Sequence, residues 1–310
     1  MSLGESQAGG RAPRGIKALI KLLRVHEWVK NVFVAAPLLF SGSLGDLSRS
    51  FEIILVIFAL CAFSSAVYVF NDLNDRNRDK QHPVKRFRPL ASGTLSPATA
   101  VFILIGLLIA GGVLLMRAKA PVLVWVYTGI YLALNLAYTL YLKRKVIVDV
   151  LTIAIGYVLR VLIGGAMIAV AVTHWLILCT FLLATFLGFS KRRHELTELG
   201  LEATHHRPVL SLYSKMFLDQ ASLLTLGMTV TCYLLYTIAP DTVQRFGTTA
   251  LVYSGVIVIF ALFRYLFLIH VKKLGSPVEV LYYDRQILLA VICWILYVVG
   301  VVYTYPLLRR

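Results

Sequence analysis

The stretch NDLNDRNRDKQHPVKRFRPLASG, from Asn71 to Gly93, lies between two long apolar runs and is the most informative part of the chain. Asp72, Asp75 and Asp79 occupy positions i, i+3 and i+7, so that on a helix they share one face. Acids at the end of a membrane helix are costly unless a partner stabilises them. Mg²⁺ is a suitable partner, because it prefers carboxylate oxygens together with substrate phosphates. The pattern predicts an acidic metal site at the end of a helix.

Basic residues follow these acids directly, at Lys80, Lys85, Arg86 and Arg88. Acids that hold a metal, followed by bases that hold phosphates, are what a diphosphate-binding site requires. The alternative is a solvated polar loop with scattered charge. The shared face of the acids and the crowding of the bases favour the site.

The composition is that of a membrane protein. Of the 310 residues, 59% are hydrophobic, whereas soluble domains contain about 45–50%. The net charge of +16 could indicate nucleic acid, but in a membrane protein it indicates anionic lipid head groups, phosphorylated substrates and orientation. We therefore expect membrane lipids and no nucleic acid as partners. No glycine-rich phosphate loop, nucleophile elbow or zinc signature is present, which argues against a nucleotide hydrolase or a triad enzyme.

Nine apolar stretches are long enough to cross a bilayer as helices. The first is the weakest, because Glu27, Lys30 and Asn31 interrupt it. The predicted spans cover residues 18–42, 51–71, 97–116, 121–141, 147–171, 174–190, 214–238, 248–269 and 285–306.

Lysine and arginine concentrate in the connections on the side of the N-terminus. The positive-inside rule therefore predicts a multi-pass protein of the cell membrane, with its N-terminus and its active site cytoplasmic. Residues 1–15 are rich in Gly, Ser and Arg and are predicted to be a disordered tail. Residues 16–310 are predicted to be a single nine-helix catalytic domain.

Further charged candidates come from other spans. Lys191 and Arg192 stand where the sixth span ends, and Glu195 follows at helical spacing. We predict that these basic residues bind substrate phosphates. The alternative is that they only anchor the end of the span at the cytoplasmic membrane interface. Asp149 and Arg160 share a face of the fifth span but are about three turns apart, too far to pair directly. Each is expected to meet a partner on another helix or a substrate group.

The remaining candidates are less distinctive. Lys30 and Asn31 interrupt an apolar stretch, for which interfacial anchoring is an alternative explanation. Tyr68 lies one turn before the first acid, and Tyr138 ends the fourth span. Lys143, in the charged patch after that span, is a plausible phosphate ligand.

The order Asn71-Asp72-x-x-Asp75-x-x-x-Asp79, followed by Arg88-Pro89-Leu90, resembles the first Asp-rich motif of the UbiA-type prenyltransferase superfamily. The resemblance implies an all-α integral membrane fold of nine transmembrane helices around a central cavity. In most of that superfamily, two Asp-rich motifs bind a prenyl diphosphate through Mg²⁺.

The chain departs from this pattern after the sixth span, where Lys191-Arg192-Arg193-His194-Glu195 replaces the second acidic motif. This replacement resembles one branch of the superfamily, as do WVKN in the first span, HPVKRFRPLASG in the loop and Tyr283-Asp284-Arg285. That branch transfers phosphoribose from phosphoribosyl diphosphate to decaprenyl phosphate and so supplies arabinose donors for cell-wall polysaccharide. The implied partners are phosphoribosyl diphosphate and a polyprenyl phosphate, with Mg²⁺ as cofactor; a homo-oligomer is compatible with the sequence.

On this reading Asp72, Asp75 and Asp79 are catalytic metal ligands. The residues expected to bind substrate phosphates are Lys30, Asn71, Lys85, Arg88, Lys143, Arg160, Lys191 and Arg192. Those expected to support them are Asn31, Tyr68, Tyr138, Asp149 and Glu195. The alternatives are transfer of an isoprenoid from a prenyl diphosphate to an aromatic acceptor, and a transporter or lipid-binding protein. The acidic face and the lack of a helix-breaking pair argue against a transporter.

Overall fold

The computed structural model of the protein describes residues 15–81, 85–199, 208–272, 280 and 283–304. The predicted disordered tail lies outside this part, apart from its last residue, Gly15. Every regular element within the described residues is helical, as the sequence predicts. In chain order the α-helices are α1 Ile16–Leu23, α2 Ala36–Phe40, α3 Leu47–Gln81, α4 Pro97–Arg117, α5 Val122–Leu140, α6 Val148–Met167, α7 His174–Leu199, α8 Lys215–Ile238, α9 Pro240–Phe246, α10 Ser254–Val271 and α11 Arg285–Val299.

Eight helices of the described part are long and apolar enough to cross a membrane. They are α3 to α8, α10 with the 3₁₀ turn before it, and α11 with the π turn after it. Each corresponds to one of the predicted spans after the first. All-helical crossing is expected, because lipid cannot satisfy an open backbone.

The predicted first span, residues 18–42, is not one continuous helix. It consists of α1, a 3₁₀ segment from Val25 to Ala35, and α2. Arg24 adopts a left-handed conformation, with φ 51°, and turns the chain between α1 and the 3₁₀ segment. The 3₁₀ segment packs against α3 and α6. The expectation of nine continuous spans is corrected to eight spans and one broken segment in the described residues.

Two helices extend well beyond their predicted ends. Helix α3 continues to Gln81, so the three aspartates lie on its last turns. Helix α7 continues to Leu199 rather than ending at residue 190, so the helical segment expected after the sixth span, with Lys191 and Glu195, is continuous with that span. Both extensions carry charged residues on a regular backbone into the region where the site is expected.

The core has two main parts. Side chains of the 3₁₀ segment, α3, α5 and α6 form one cluster, which includes Val34, Leu60 and Ile163. Side chains of α7, α8, α10 and α11 form another, which includes Phe186 and Leu268. Helices α6 and α7 pack against each other and join the two parts. A cavity opens among the elements of the first part and α7.

Candidate active site

A cavity of about 600 Å³ lies among the 3₁₀ segment and helices α3, α5, α6 and α7. Thirteen of the sixteen predicted site residues line it: Lys30, Tyr68, Asn71, Asp75, Asp79, Lys85, Arg88, Tyr138, Lys143, Arg160, Lys191, Arg192 and Glu195. Asn31, Asp72 and Asp149 are buried behind this wall and bond to residues that line it. The fold therefore brings residues from distant parts of the sequence into one place.

Two of the aspartates on α3 share one guanidinium. Arg88 Nη1 donates to Asp72 Oδ1 at 3.1 Å and to Asp79 Oδ2 at 2.8 Å. Asp72 Oδ1 also accepts from Arg24 Nη2 at 2.7 Å. Cations from the segment before α3 and from the loop after it thus neutralise these buried acids.

The third aspartate, Asp75, is held by Lys143 from the 3₁₀ turn after α5. Lys143 Nζ donates to the two carboxylate oxygens at 2.7 and 3.0 Å and to Asn71 Oδ1 at 3.3 Å. This cation ties the end of α5 to the acidic end of α3.

The described residues contain no group of three His, Cys, Asp or Glu side chains arranged to hold a metal by themselves. Asp75 and Asp79 nevertheless present carboxylate oxygens to the cavity. These hard oxygen donors fit a Mg²⁺ ion that takes its other ligands from a substrate diphosphate and water, which is how Mg²⁺ is usually bound.

A buried arginine forms another part of the wall. Arg160 donates to Asn31 Oδ1 at 2.8 Å, to the Gly156 carbonyl at 2.9 Å and to the Tyr131 hydroxyl at 3.0 Å. Its guanidinium also lies 4.8 Å from the centre of the Tyr131 ring. No described carboxylate lies within 4.0 Å of it. All these partners are neutral, so the charge of Arg160 remains available to an anion in the cavity.

Helix α7 supplies the opposite charge pattern from α3. Arg192 is 2% exposed and donates to Asp149 at 2.6 Å, to Glu195 at 3.0 Å and to the Tyr138 hydroxyl at 3.4 Å. Its neighbour Lys191 also lines the cavity. Two of the predicted phosphate-binding cations therefore face the cavity.

Asp149 supports Arg192 from behind the wall. It is fully buried and also accepts a hydrogen bond from the Tyr213 hydroxyl at 2.7 Å. Burial, together with that bond, raises the pKa of Tyr213. As their spacing indicates, Asp149 and Arg160 do not pair with each other; each bonds to residues of other elements.

Several nearby charged residues lie elsewhere. Arg193 pairs with Asp219 on α8 and does not line the cavity. Asp284 caps α11, accepting from the Ile287 amide at 3.0 Å, and pairs with Arg264 at 2.7 Å. These contacts join helix ends, so they are structural.

The cavity is strongly basic. Among its described lining residues, eleven are basic and four are acidic, an excess of seven positive charges. A cleft lined by charges of one sign concentrates oppositely charged ligands, since low-dielectric walls focus the field. The arrangement is suited to substrates that carry several phosphate groups.

Other lining residues were not predicted as site residues, namely Lys21, Arg24, Glu27, Arg78, Tyr131, Asn135, Arg144 and Tyr157. The sequence did contain a pattern from which the two tyrosines could have been predicted as lining residues. Tyr131, Asn135 and Tyr138 recur at i, i+4 and i+7 inside an apolar span, and Tyr157 lies three residues before Arg160. Polar residues at helical spacing within a span usually face a cavity.

The sequence of residues 32–283 matches the UbiA prenyltransferase family. The chain therefore belongs to that family, whose members are membrane transferases, and the acidic end of α3 lies within the matched region. Together with the eight spans, this makes the chain a multi-pass membrane protein.

Its relatives include decaprenyl-phosphate phosphoribosyltransferases. The enzyme of that name from Mycolicibacterium smegmatis is 28% identical over 307 residues, covering 94% of each chain. The one from Mycobacterium tuberculosis is 30% identical over 293 residues, covering 90% of this chain and 92% of the relative.

Solved structures share the fold. A UbiA homologue from Archaeoglobus fulgidus, bound to GPP and Mg²⁺, superposes with a TM-score of 0.67 at 16% identity. The alignment covers 92% of this chain and 99% of the homologue. At this identity the likeness establishes the architecture alone.

Proposed function

We propose that this protein transfers 5-phosphoribose from phosphoribosyl diphosphate to a polyprenyl phosphate, with decaprenyl phosphate as the expected acceptor, and releases diphosphate. The observation that carries the proposal is the charge of the cavity. Lys191 and Arg192 line it, and by the resemblance noted in the sequence they stand where most of that superfamily has a second acidic motif. The excess of seven positive charges suits a donor with a diphosphate and a 5-phosphate, together with an acceptor that carries its own phosphate. The names of the mycobacterial relatives support the same reaction.

The acidic end of α3 is the proposed Mg²⁺ site. Asp75 and Asp79 line the cavity, and Asp72 stands on the same turns of the helix. Asn71, which accepts from Lys143 at 3.3 Å, is assigned to orient the set. A magnesium ion held there would stabilise the negative charge that develops on the leaving diphosphate. Arg88 and Lys143, which pair with these acids, would then be available to phosphate oxygens.

The basic residues are assigned to the phosphate groups. Lys85, Arg88, Lys191 and Arg192 are the principal ligands, and Lys30, Lys143 and Arg160 assist them. Arginine suits this role because its guanidinium can bind phosphate through two hydrogen bonds. Asn31 would hold Arg160 in place, and Tyr138, Asp149 and Glu195 would hold Arg192. Tyr68 would support the site through Arg24, which stacks over its ring.

The reaction exchanges one bond at C1 of the ribose for another. The bond from C1 to the diphosphate oxygen breaks with oxocarbenium character, and a polyprenyl-phosphate oxygen forms the new bond to C1. That oxygen is already ionised, so no general base is required. The protein contributes mainly by holding the two substrates together and by stabilising charge.

The distribution of basic loops supports an active site at the cytoplasmic face of the cell membrane. Residues 16–310 would form the single catalytic domain, with the acceptor lipid reaching it from the bilayer. The product, a lipid-linked phosphoribose, would be a precursor of arabinose donors for cell-wall polysaccharide.

The test is a turnover assay in proteoliposomes with labelled phosphoribosyl diphosphate, decaprenyl phosphate and Mg²⁺. We expect label in the lipid phase, and we expect EDTA to abolish its transfer. Asp75→Asn should lower kcat by roughly a hundredfold or more, the scale typical of lost transition-state charge stabilisation. Glu52→Gln is the matched control, since Glu52 is a carboxylate on the same helix that does not line the cavity.

A thermal melt must first show that Asp75→Asn is folded. Full activity in a folded Asp75→Asn protein would refute the metal assignment. If the protein instead transferred the isoprenoid of a prenyl diphosphate to an aromatic acceptor, it would be an ordinary prenyltransferase. The assignment of the basic lining residues to substrate phosphates would then be wrong.

A further inference from the structure

Helix α1 is amphipathic in an unusual way, because it presents two separate apolar faces. Ala18 and Leu22 are completely buried against the rest of the protein. Ile16, Leu19 and Ile20 are 77%, 39% and 50% exposed. At about 3.6 residues per turn, these three lie together on a face different from the buried one. The first face fixes the helix to the protein, and the second has no described partner.

The third face of α1 is basic. Lys17 and Lys21 are one turn apart and both are exposed. No acidic residue occurs from Gly15 to Arg24 to offset them. Lys21 lines the cavity of the candidate active site, whereas Lys17 does not. The basic face therefore begins outside the cavity and ends at its wall.

The C-terminal end of α1 is attached to α3 through Arg24, close to the aspartates of the candidate site. Arg24 lines the cavity, donates to Asp72 at 2.7 Å and stacks over the Tyr68 ring at 4.7 Å. It does so from a left-handed backbone conformation that non-glycine residues seldom adopt. The contacts of this side chain offset that strain, so α1 keeps a fixed position beside the cavity.

A helix with an exposed apolar face and a lysine face lies in the plane of a membrane interface. Its apolar side chains insert between lipid chains, and its lysines remain at the level of the head groups. Anionic head groups are attracted to such lysines. Charge complementarity thus makes a lipid phosphate the natural occupant of the basic face, with the attached chain beside Ile16, Leu19 and Ile20.

We propose that α1 is the docking site for the phosphate head of the acceptor lipid, and that Lys21 is its first contact at the cavity wall. The lipid would pass from Lys21 to the cations inside the cavity without leaving the interface. This proposal rests on the proposed function, since it takes the acceptor to be a polyprenyl phosphate.

The kinetic test compares Lys21→Gln with Lys17→Gln in proteoliposomes. Lys21→Gln should raise the KM for polyprenyl phosphate by roughly fivefold, the contribution of one basic residue at an anionic lipid surface. The KM for phosphoribosyl diphosphate and the kcat should not change. Lys17→Gln removes the same charge from the same basic face but outside the cavity, so it should raise the KM for polyprenyl phosphate clearly less than Lys21→Gln does. Equal effects of the two substitutions, or a change confined to the KM of the donor, would overturn the proposal.

A second test does not depend on turnover. A photoreactive p-benzoylphenylalanine replaces Ile20 on α1 or, as the control, Ile105 on the exposed face of α4. Labelled polyprenyl phosphate should cross-link at position 20 in preference to 105, and Lys21→Gln should weaken the cross-link. Uncharged polyprenol should not show this preference.

The outcomes separate the two proposals. A cross-link that depends on Lys21 in a protein that transfers no phosphoribose would retain the docking site and reject the proposed function. Phosphoribosyl transfer without any preference of the cross-link for position 20 would retain the proposed function and reject the docking site. Equal competition by phosphatidylglycerol would make α1 a general anchor for anionic lipid and would also reject the docking site.

Discussion

Lys143 is buried and paired with an aspartate, unlike a typical surface lysine. It is 8% exposed, and its ammonium contacts Asp75 and Asn71 on another helix. Its neighbours Arg144 and Lys145 are exposed. Within this short basic patch, the buried Lys143 pairs with Asp75, the exposed Arg144 lines the cavity without being buried, and Lys145 does not line the cavity.

Replacing Lys143 should affect both stability and substrate binding. Lys143→Gln leaves the Asp75 carboxylate without its cation, so we expect it to lower the free energy of unfolding by about 3 kcal/mol, the scale for breaking a buried ion pair. It should also raise the KM for phosphoribosyl diphosphate. Thermal melts in detergent and steady-state kinetics measure the two effects.

Lys145→Gln removes the same charge two residues away and serves as the control. It should behave like the unmodified protein in both measurements. If the two variants were indistinguishable, the contact between Lys143 and Asp75 would have no energetic importance.

At the scale of elements, the broken N-terminal segment is packed very closely against α6. A Cβ at Gly164 would lie 1.9 Å from the Val34 carbonyl oxygen. Only glycine permits the 3₁₀ segment to approach so near, and this approach carries Asn31 to Arg160, where they bond at 2.8 Å. The close contact thus positions one cation of the cavity.

We expect Gly164→Ala to destabilise the protein and to reduce its activity. The added methyl group must push the 3₁₀ segment away from α6, and such overpacking costs about 1–3 kcal/mol. The melting temperature should fall, and the displaced Asn31 should no longer orient Arg160. Thermal melts and turnover measure these effects.

Gly106→Ala on α4 is the matched substitution, because a Cβ there meets no atom within 4 Å. It should leave the melting temperature and the activity unchanged. A Gly164→Ala protein as stable as Gly106→Ala would show that the segment can shift without cost.

At the scale of the whole molecule, the helices surround a pocket of concentrated positive charge. The chain has a net charge of +16, and the cavity alone holds an excess of seven positive charges. Counter-ions compete with anionic substrates for such a field, because the Debye length is only about 10 Å at 0.1 M salt. Substrate capture should therefore depend on ionic strength.

We expect the KM for phosphoribosyl diphosphate to rise as NaCl is increased from low to physiological concentration. The kcat should change little, because a bound substrate inside the cavity is less well screened. Sucrose at matched osmolality is the control and should not alter the KM. A KM independent of salt would mean that short-range contacts, and not the field of the cavity, capture the donor.

Much of this architecture could be predicted because its signals are local. Apolar runs of bilayer length placed eight spans correctly, and the spacing of Asp72, Asp75 and Asp79 placed them on one helix face. The break at Arg24 was not predicted, nor was the continuity of the segment with Lys191 and Glu195 with the sixth span. Both depend on contacts with distant residues, such as Arg24 with Asp72, that leave no periodic pattern in the sequence.

The sequence by itself determined the class of fold, the helical spans and the acidic motif, because hydrophobicity and helical spacing act over one segment at a time. Only the tertiary structure decided which charges meet. It places Lys143 against Asp75 and Asp149 behind Arg192, and it turns Arg193 away to Asp219. Sequence spacing cannot supply this information, since ion pairing depends on how separate helices rotate and pack against one another.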